Sequence, residues 1–139
     1  MLVGSVVHSL DTKGRLVIPV KYREDFGAAV FAYKGVDECI RLYPREQFMK
    51  VIEKLSGGDV TKNALRRKVL GAVESLSLDA QGRILLSEEL RNKVGITDRV
   101  RMVGMYEWLE LWKEENYEKI EDELSPEDEI RLMAELGLA

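Results

Sequence analysis

Short apolar runs separated by glycine, proline and polar breaks occupy most of the chain, and their spacing predicts small strands leading into small helices. Residues 3–10 and 72–78 mix small and apolar side chains in the manner of half-buried strands, while 16–18 and 84–86 are apolar triplets suited to buried ones. Pro19 opens a helical turn over 20–26, and Ser87 caps a helix over 88–94 with Gly95 as its stop. Two hairpins follow, 30–33 with 39–43 and 100–103 with 107–112. Beyond the first, Phe48, Val51, Ile52 and Leu55 recur at helical spacing before a Ser56-Gly57-Gly58 break, and Leu65, Val69 and Leu70 lie in a basic segment. Beyond the second, Tyr117, Ile120 and Leu124 mark an amphipathic helix. Ser125-Pro126-Glu127-Asp128 then starts another, with Ile130, Met133 and Leu136 on its apolar face and Gly137 at its end. These helices are expected to pack on the body with their charged faces solvated.

The order of elements repeats because the sequence does. Ser9-Leu10-Asp11-Thr12-Lys13-Gly14-Arg15-Leu16-Val17-Ile18 is echoed 68 residues later by Ser77-Leu78-Asp79-Ala80-Gln81-Gly82-Arg83-Ile84-Leu85-Leu86. The echo continues through Arg23/Arg91 and Gly27/Gly95, and after a one-residue slip Cys39-Ile40-Arg41-Leu42-Tyr43 matches Trp108-Leu109-Glu110-Leu111-Trp112. Residues 1–71 are expected to form the first copy with its helices and 72–139 the second with the C-terminal helices, together one compact domain. Two copies are fewer than a solenoid needs, so the repeat predicts an α+β fold built as a pseudo-twofold closed barrel or sandwich.

Composition narrows the chemistry. At 139 residues, 45% hydrophobic and 33% charged, the chain has the make-up of a soluble globular protein and is too small for a large enzyme. The formal net charge of −4 argues against a uniformly basic nucleic-acid binder. The charge is uneven, however, with a net +5 over residues 1–105 and a net −9 over 106–139. Cys39 is the only cysteine and His8 the only histidine, so an internal disulfide and a His/Cys metal site are excluded. The N-terminus lacks a signal-peptide pattern and no stretch reaches the ~20 apolar residues of a membrane span, so a reducing, cytoplasmic location without membrane contact is expected. Ser56-Gly57-Gly58-Asp59 reads as a loop between helices rather than a phosphate cradle. No cofactor, no metal and no enzymatic activity are expected.

The paired motifs Asp11-x-x-Gly14-Arg15 and Asp79-x-x-Gly82-Arg83 are the most informative feature. An aspartate opening a tight loop accepts loop amide hydrogens, glycine takes a backbone angle closed to other residues, and an arginine four positions on returns to the carboxylate. The pattern predicts a structural clasp at two crossing points. Neither aspartate has a histidine, cysteine or second acid in its loop, so an acid–base pair of Asp11 and Asp79 has little support. Lys13, Arg15, Lys21 and Arg23 cluster around the first loop, a group suited to neutralising phosphates or reading a guanine edge. In the second copy Gln81 replaces Lys13 and Glu89 replaces Lys21, so a nucleic-acid face is expected to be dominated by the N-terminal half. Arg66-Arg67-Lys68 reads as solvated helix surface, His8 as a packed or solvent-facing side chain, and Cys39 as a small buried apolar group. Trp108 and Trp112 read as core or subunit-contact residues.

Through Leu10-Asp11-Thr12-Lys13-Gly14-Arg15-Leu16-Val17-Ile18-Pro19, then Tyr22-Arg23 and the second Asp79-x-x-Gly82-Arg83-Ile84, the chain closely resembles the MraZ family of bacterial transcriptional regulators over nearly its whole length. Each half is similar to the single-copy AbrB/MazE-type DNA-binding unit. The resemblance implies AbrB-like units joined through swapped hairpins into a double-split β-barrel with packed helices. It also implies a sequence-specific regulator of the division and cell-wall gene cluster, its own operon included. Such a regulator would bind repeated operator boxes on double-stranded DNA as a ring-shaped homo-oligomer, cytoplasmic and nucleoid-associated. By position the family signature falls on Asp11 and Arg15 and again on Asp79 and Arg83, with Arg15 the first choice for DNA contact, Lys13 and Arg23 flanking it and Lys21 in the same basic group. Ser87 stands where the first copy has Pro19, which with the missing Lys13 and Lys21 equivalents sets the two faces apart. An antitoxin-like protein–protein interaction module, gripping a basic partner with the acidic C-terminal helices, is the alternative function.

Overall fold

The computed structural model describes residues 1–139. Strand β1 (Ser5–Ser9) leads through the Asp11 loop into β2 (Arg15–Val17) and helix α1 (Val20–Phe26). A hairpin of β3 (Val30–Lys34) and β4 (Ile40–Pro44) precedes helices α2 (Arg45–Leu55) and α3 (Val60–Leu70). The second copy runs β5 (Glu74–Leu76), β6 (Arg83–Leu85), α4 (Glu88–Val94), β7 (Arg99–Gly104), β8 (Leu109–Lys113), α5 (Glu114–Ile120) and α6 (Pro126–Glu135). α1 and α4 form where expected, and the Ser87 hydroxyl accepts the Leu90 amide hydrogen at 3.1 Å while Gly95 ends α4 at φ 72°. No helix is long and apolar enough to cross a membrane.

The two copies interlock strand by strand. β1 pairs antiparallel with β7 of the second copy, and β5 pairs with β3 of the first. β4 and β8 join the two hairpins, giving a six-stranded order β1-β7-β8-β4-β3-β5 that reads the same from either end when the copies are exchanged. β2 and β6 form a separate antiparallel ribbon with Leu16 opposite Ile84.

Alternation along each strand turns one side chain in two toward a single core. Leu16, Ile18, Ile84 and Leu86 from the crossing meet Val30, Ala32, Ile40, Leu42, Val100, Met102, Leu109 and Leu111 from the large sheet. Tyr22, Phe26, Leu90 and Val94 from α1 and α4 close the sides, each such side chain contributing on the order of 2 kcal/mol by leaving water.

Two expectations are corrected. The strand foreseen over 72–78 narrows to three residues, because only Val30, Phe31 and Ala32 of β3 face it. α3 and α5 bury no residue completely but do pack, α3 beside α2 and α5 on β7 and β8 with Tyr117 against Trp112, whereas α6 is exposed along its whole length, contrary to its expected packing role. The ribbon with α1 and α4 already fills the inner face of the sheet, so these helices have only the surface to occupy. Leu124 falls beyond the end of α5, and Ile130, Met133 and Leu136 are all exposed.

In a chain cut to residues 1–71, β1, β2 and β4 have lost β7, β6 and β8. This fragment is expected to be unfolded as a monomer and to fold only on pairing with a second fragment. Circular dichroism combined with sedimentation tests this, and a folded 1–71 monomer refutes it.

Candidate nucleic-acid interface

Both loops close on their aspartates. Asp11 Oδ1 accepts the amide hydrogens of Lys13 and Arg15, each at 2.9 Å, and Oδ2 accepts from Arg15 Nε at 2.6 Å. The Gly14 amide donates to the Asp11 carbonyl at 3.1 Å, and the Asp11 amide to the Arg15 carbonyl at 2.9 Å. Asp79 repeats the pattern with the amides of Gln81 and Arg83 at 2.9 Å and with Arg83 Nε at 2.7 Å. The turn needs φ of 81° at Gly14 and 75° at Gly82, a region open to glycine and strained for other residues. The Arg15 amide, with the Arg15 guanidinium and the Lys13 amide behind it, holds the Asp11 carboxyl at about 2. Asp79 is lowered for the same reason, led by the Arg83 amide. The two carboxylates serve separate loops rather than a shared acid–base pair.

The loops sit at opposite ends of the ribbon. Arg15 lies across from Leu85 and Val17 across from Arg83. The Leu86 amide donates to the Gly14 carbonyl at 3.0 Å, and the Ile18 amide to the Gly82 carbonyl at 2.9 Å. Each loop is covered by an arginine from the other copy's helix. Arg23 Nε donates to the Ile18 carbonyl at 2.7 Å, and its guanidinium occupies the space where a Cβ on Gly82 would stand. Arg91 Nε donates to the Leu86 carbonyl at 3.1 Å, and its Nη2 would lie 3.2 Å from a Cβ on Gly14.

The cations expected around the first loop are therefore not one cluster. Lys13 and Arg15 stay there and Arg91 joins them, whereas Arg23 covers the second loop beside Arg83. Lys21 lies by Gly4, its ammonium 4.9 Å from the Tyr22 ring centroid. The cause is topological: α1 leaves β2 at the end of the ribbon where the second copy's loop sits. Each loop thus carries two arginines, and the excess of the first-copy loop reduces to Lys13 in place of Gln81. Arg91 is absent from the expected contacts, although its correspondence to Arg23 across the 68-residue echo is the signal that finds it.

Leu16 and Ile84 are fully buried, so alternation puts Arg15, Val17, Arg83 and Leu85 on the outer face of the ribbon. Val17 is 37% and Leu85 57% exposed. The two arginines lie on a diagonal, each anchored to its aspartate through Nε, which leaves the terminal nitrogens as donors. A two-stranded ribbon has the width of a DNA major groove, and an arginine fork suits either a guanine edge or a phosphate.

Other singled-out residues have structural roles. Burial pushes the Cys39 thiol up to about 12, the behaviour of an inert core group. Trp108 and Trp112 each donate Nε1 to the buried Glu110 carboxylate at 3.0 Å, and Arg41 lies 4.2 Å from the Trp108 ring centroid. His8 is a half-buried strand residue paired with Val100.

The family model described as "MraZ protein, putative antitoxin-like" matches the chain twice, over residues 1–70 and 69–136. A Thermomicrobium roseum protein named Transcriptional regulator MraZ is 37% identical over 120 residues, 84% of each chain. Proteins of the same name from Syntrophomonas wolfei and Caldicellulosiruptor saccharolyticus are also similar. The first is 40% identical over 121 residues, 84% of each chain. The second is 35% identical over 144 residues, 99% of this chain and 100% of the relative.

Folding depresses the Asp11 pKa, so its stabilising bonds are present in full above the ordinary value of 3.8 and are lost as pH falls through about 2. Asp11→Ala is expected to lower the thermal midpoint at pH 7, with the gap to the unsubstituted chain narrowing as acid protonates the carboxylate over that interval. Equal midpoints at neutral pH refute the clasp. Gly82→Ala, which adds backbone strain and evicts Arg23, is expected to cost about 1–2 kcal/mol in a denaturant titration.

Proposed function

The chain belongs to the MraZ family, and on that premise we propose that it is a DNA-binding transcriptional regulator reading double-stranded DNA with the β2–β6 ribbon. The observation that carries this is the outer face of the ribbon, where Arg15 and Arg83 are held on a diagonal by their own aspartates above a fully buried Leu16–Ile84 pair. Fixed donors lose little freedom on binding, which favours base-edge recognition over loose charge attraction. Arg15 reads a guanine edge and Arg83 takes the equivalent contact at the far end of the ribbon. Lys13, Arg23 and Arg91 meet phosphates on either side, with Lys21 at the periphery. The protein carries out no catalysis.

In this reading the six-stranded sheet and the crossing together make a double-split barrel, with residues 1–71 and 72–139 folding as one compact domain. The regulator acts in the cytoplasm, associated with the nucleoid, on repeated operator boxes before the division and cell-wall gene cluster, its own operon included. It assembles as a ring. The support for assembly is electrostatic and numerical: one subunit makes few contacts and carries a formal net charge of −4, so useful affinity requires several ribbons meeting several boxes at once. The net −9 over residues 106–139 restrains adhesion to arbitrary DNA.

Arg15→Ala is expected to cost about 1–3 kcal/mol per box, roughly 5- to 150-fold in affinity, with the fold retained by circular dichroism. Mobility-shift titration on DNA from upstream of the protein's own gene checks this, and unchanged affinity rejects the assignment. Lys13→Gln is expected to weaken binding evenly across sequences and to reduce the salt slope by about 1.

A further inference from the structure

Two surfaces have no partner within the chain, and they complement each other. The first is α6. Every residue from Pro126 to Ala139 is exposed, yet the helix is well made, with Pro126 in its first turn and the Ser125 hydroxyl accepting the Asp128 amide hydrogen at 3.1 Å. Ile130, Met133 and Leu136 share one side at helical spacing with Glu129 among them and Leu132 at its border, while Glu127, Asp128 and Glu135 lie on the rest of the helix. Ile130 is 69% and Leu136 71% exposed, and a ten-residue helix gains little stability from its own hydrogen bonds. Its one cation, Arg131, is already paired with Asp128 and Glu135, so the outward charge is acidic.

The second surface is a cavity of about 690 Å³ between α3, the β3–β4 hairpin and the end of α4. Leu65, Val69 and Val36 give it apolar walls. Lys34, Lys68, Lys93 and Arg41 add four cations, and no acidic residue lines it. Asp37, Glu38 and Glu89 reach three of those cations at 3.5–3.8 Å, while Lys68 has no ion pair. Arg41 Nε is buried without a hydrogen-bond partner. α3 itself buries no residue completely, so its Leu65 and Val69 remain available.

We propose that α6 of one copy docks into the α3 cavity of a second copy, its apolar side on Leu65, Val69 and Val36 and the Glu129 carboxylate on that same side toward Lys68. Charge sign and apolar character match on both sides, and within one chain the two surfaces do not meet. A contact between different patches on successive copies is head-to-tail, the type that closes into a ring when the rotation per subunit allows. The inference rests on the oligomer of the proposed function and names the contact that builds it.

The test uses the full chain without DNA. Light scattering after size exclusion is expected to show an oligomer, and both Ile130→Asp/Met133→Asp and Lys68→Glu/Val69→Asp are expected to weaken assembly at least tenfold with unchanged far-ultraviolet circular dichroism. Mixing an Ile130→Cys chain with a Val69→Cys chain and adding a bismaleimide is expected to give a cross-link between chains, the buried Cys39 staying unreactive. An unsubstituted chain that runs as a monomer, a mass unmoved by both double variants, or no cross-link between the mixed chains overturns the proposal. Arg15→Ala is expected to keep the oligomeric mass, and the α6 variant to keep weak binding to a single box. Failure of the contact and failure of DNA recognition therefore read out separately.

Discussion

The β2–β6 ribbon ties the structure together because its two faces make opposite demands. Leu16 and Ile84 face inward with no exposed surface, and Ile18 and Leu86 extend the same buried row. A slip of one residue would turn the leucine and isoleucine into water and bring arginines into an apolar core, where an unpaired guanidinium costs several kcal/mol. The register is thereby fixed, and with it the placement of both loops. Each loop then accepts an amide hydrogen from the opposite strand, the Gly14 carbonyl from Leu86 and the Gly82 carbonyl from Ile18, so neither end of the crossing can shift alone.

The same arrangement decides how charge is presented. Arg15 and Arg83 are ion-paired to Asp11 and Asp79, so each clasp is close to neutral as a unit. What it offers is a set of oriented donors rather than a long-range field. Long-range attraction falls instead to Lys13, Arg23 and Arg91, which border the ribbon from both copies. In the proposed function orientation and attraction are carried by different residues, a division that would let a net acidic protein discriminate among sequences without clinging to all of them.

Much of this was legible from residue patterns. The 68-residue echo announced two copies, Ser87 and Gly95 bounded α4, and the Asp-x-x-Gly-Arg spacing announced both clasps. What could not be read was which copy each strand would join. Alternation marks which side chains turn inward but not which distant strand lies alongside, so the grouping of Arg23 with the first loop failed once the crossing carried α1 to the second. The C-terminal helix misled for a related reason. Its apolar spacing signals that a face needs covering, and this signal carries no information on whether the cover comes from the same chain.

The exchange of first strands also bears on how the protein is made. Ser5 pairs with Val103, so at the ribosome the earliest segment to emerge waits for one of the latest before it has a neighbour. Until then β1 and the β3 edge both present unpaired backbone N–H and C=O groups, and two nascent chains on one messenger expose the same edges to each other. Such long-range closure slows maturation relative to a protein of local contacts. Fusing the two copies into a single polypeptide raises the concentration each end experiences of its proper mate, and so favours the intended union over entanglement with a sibling chain.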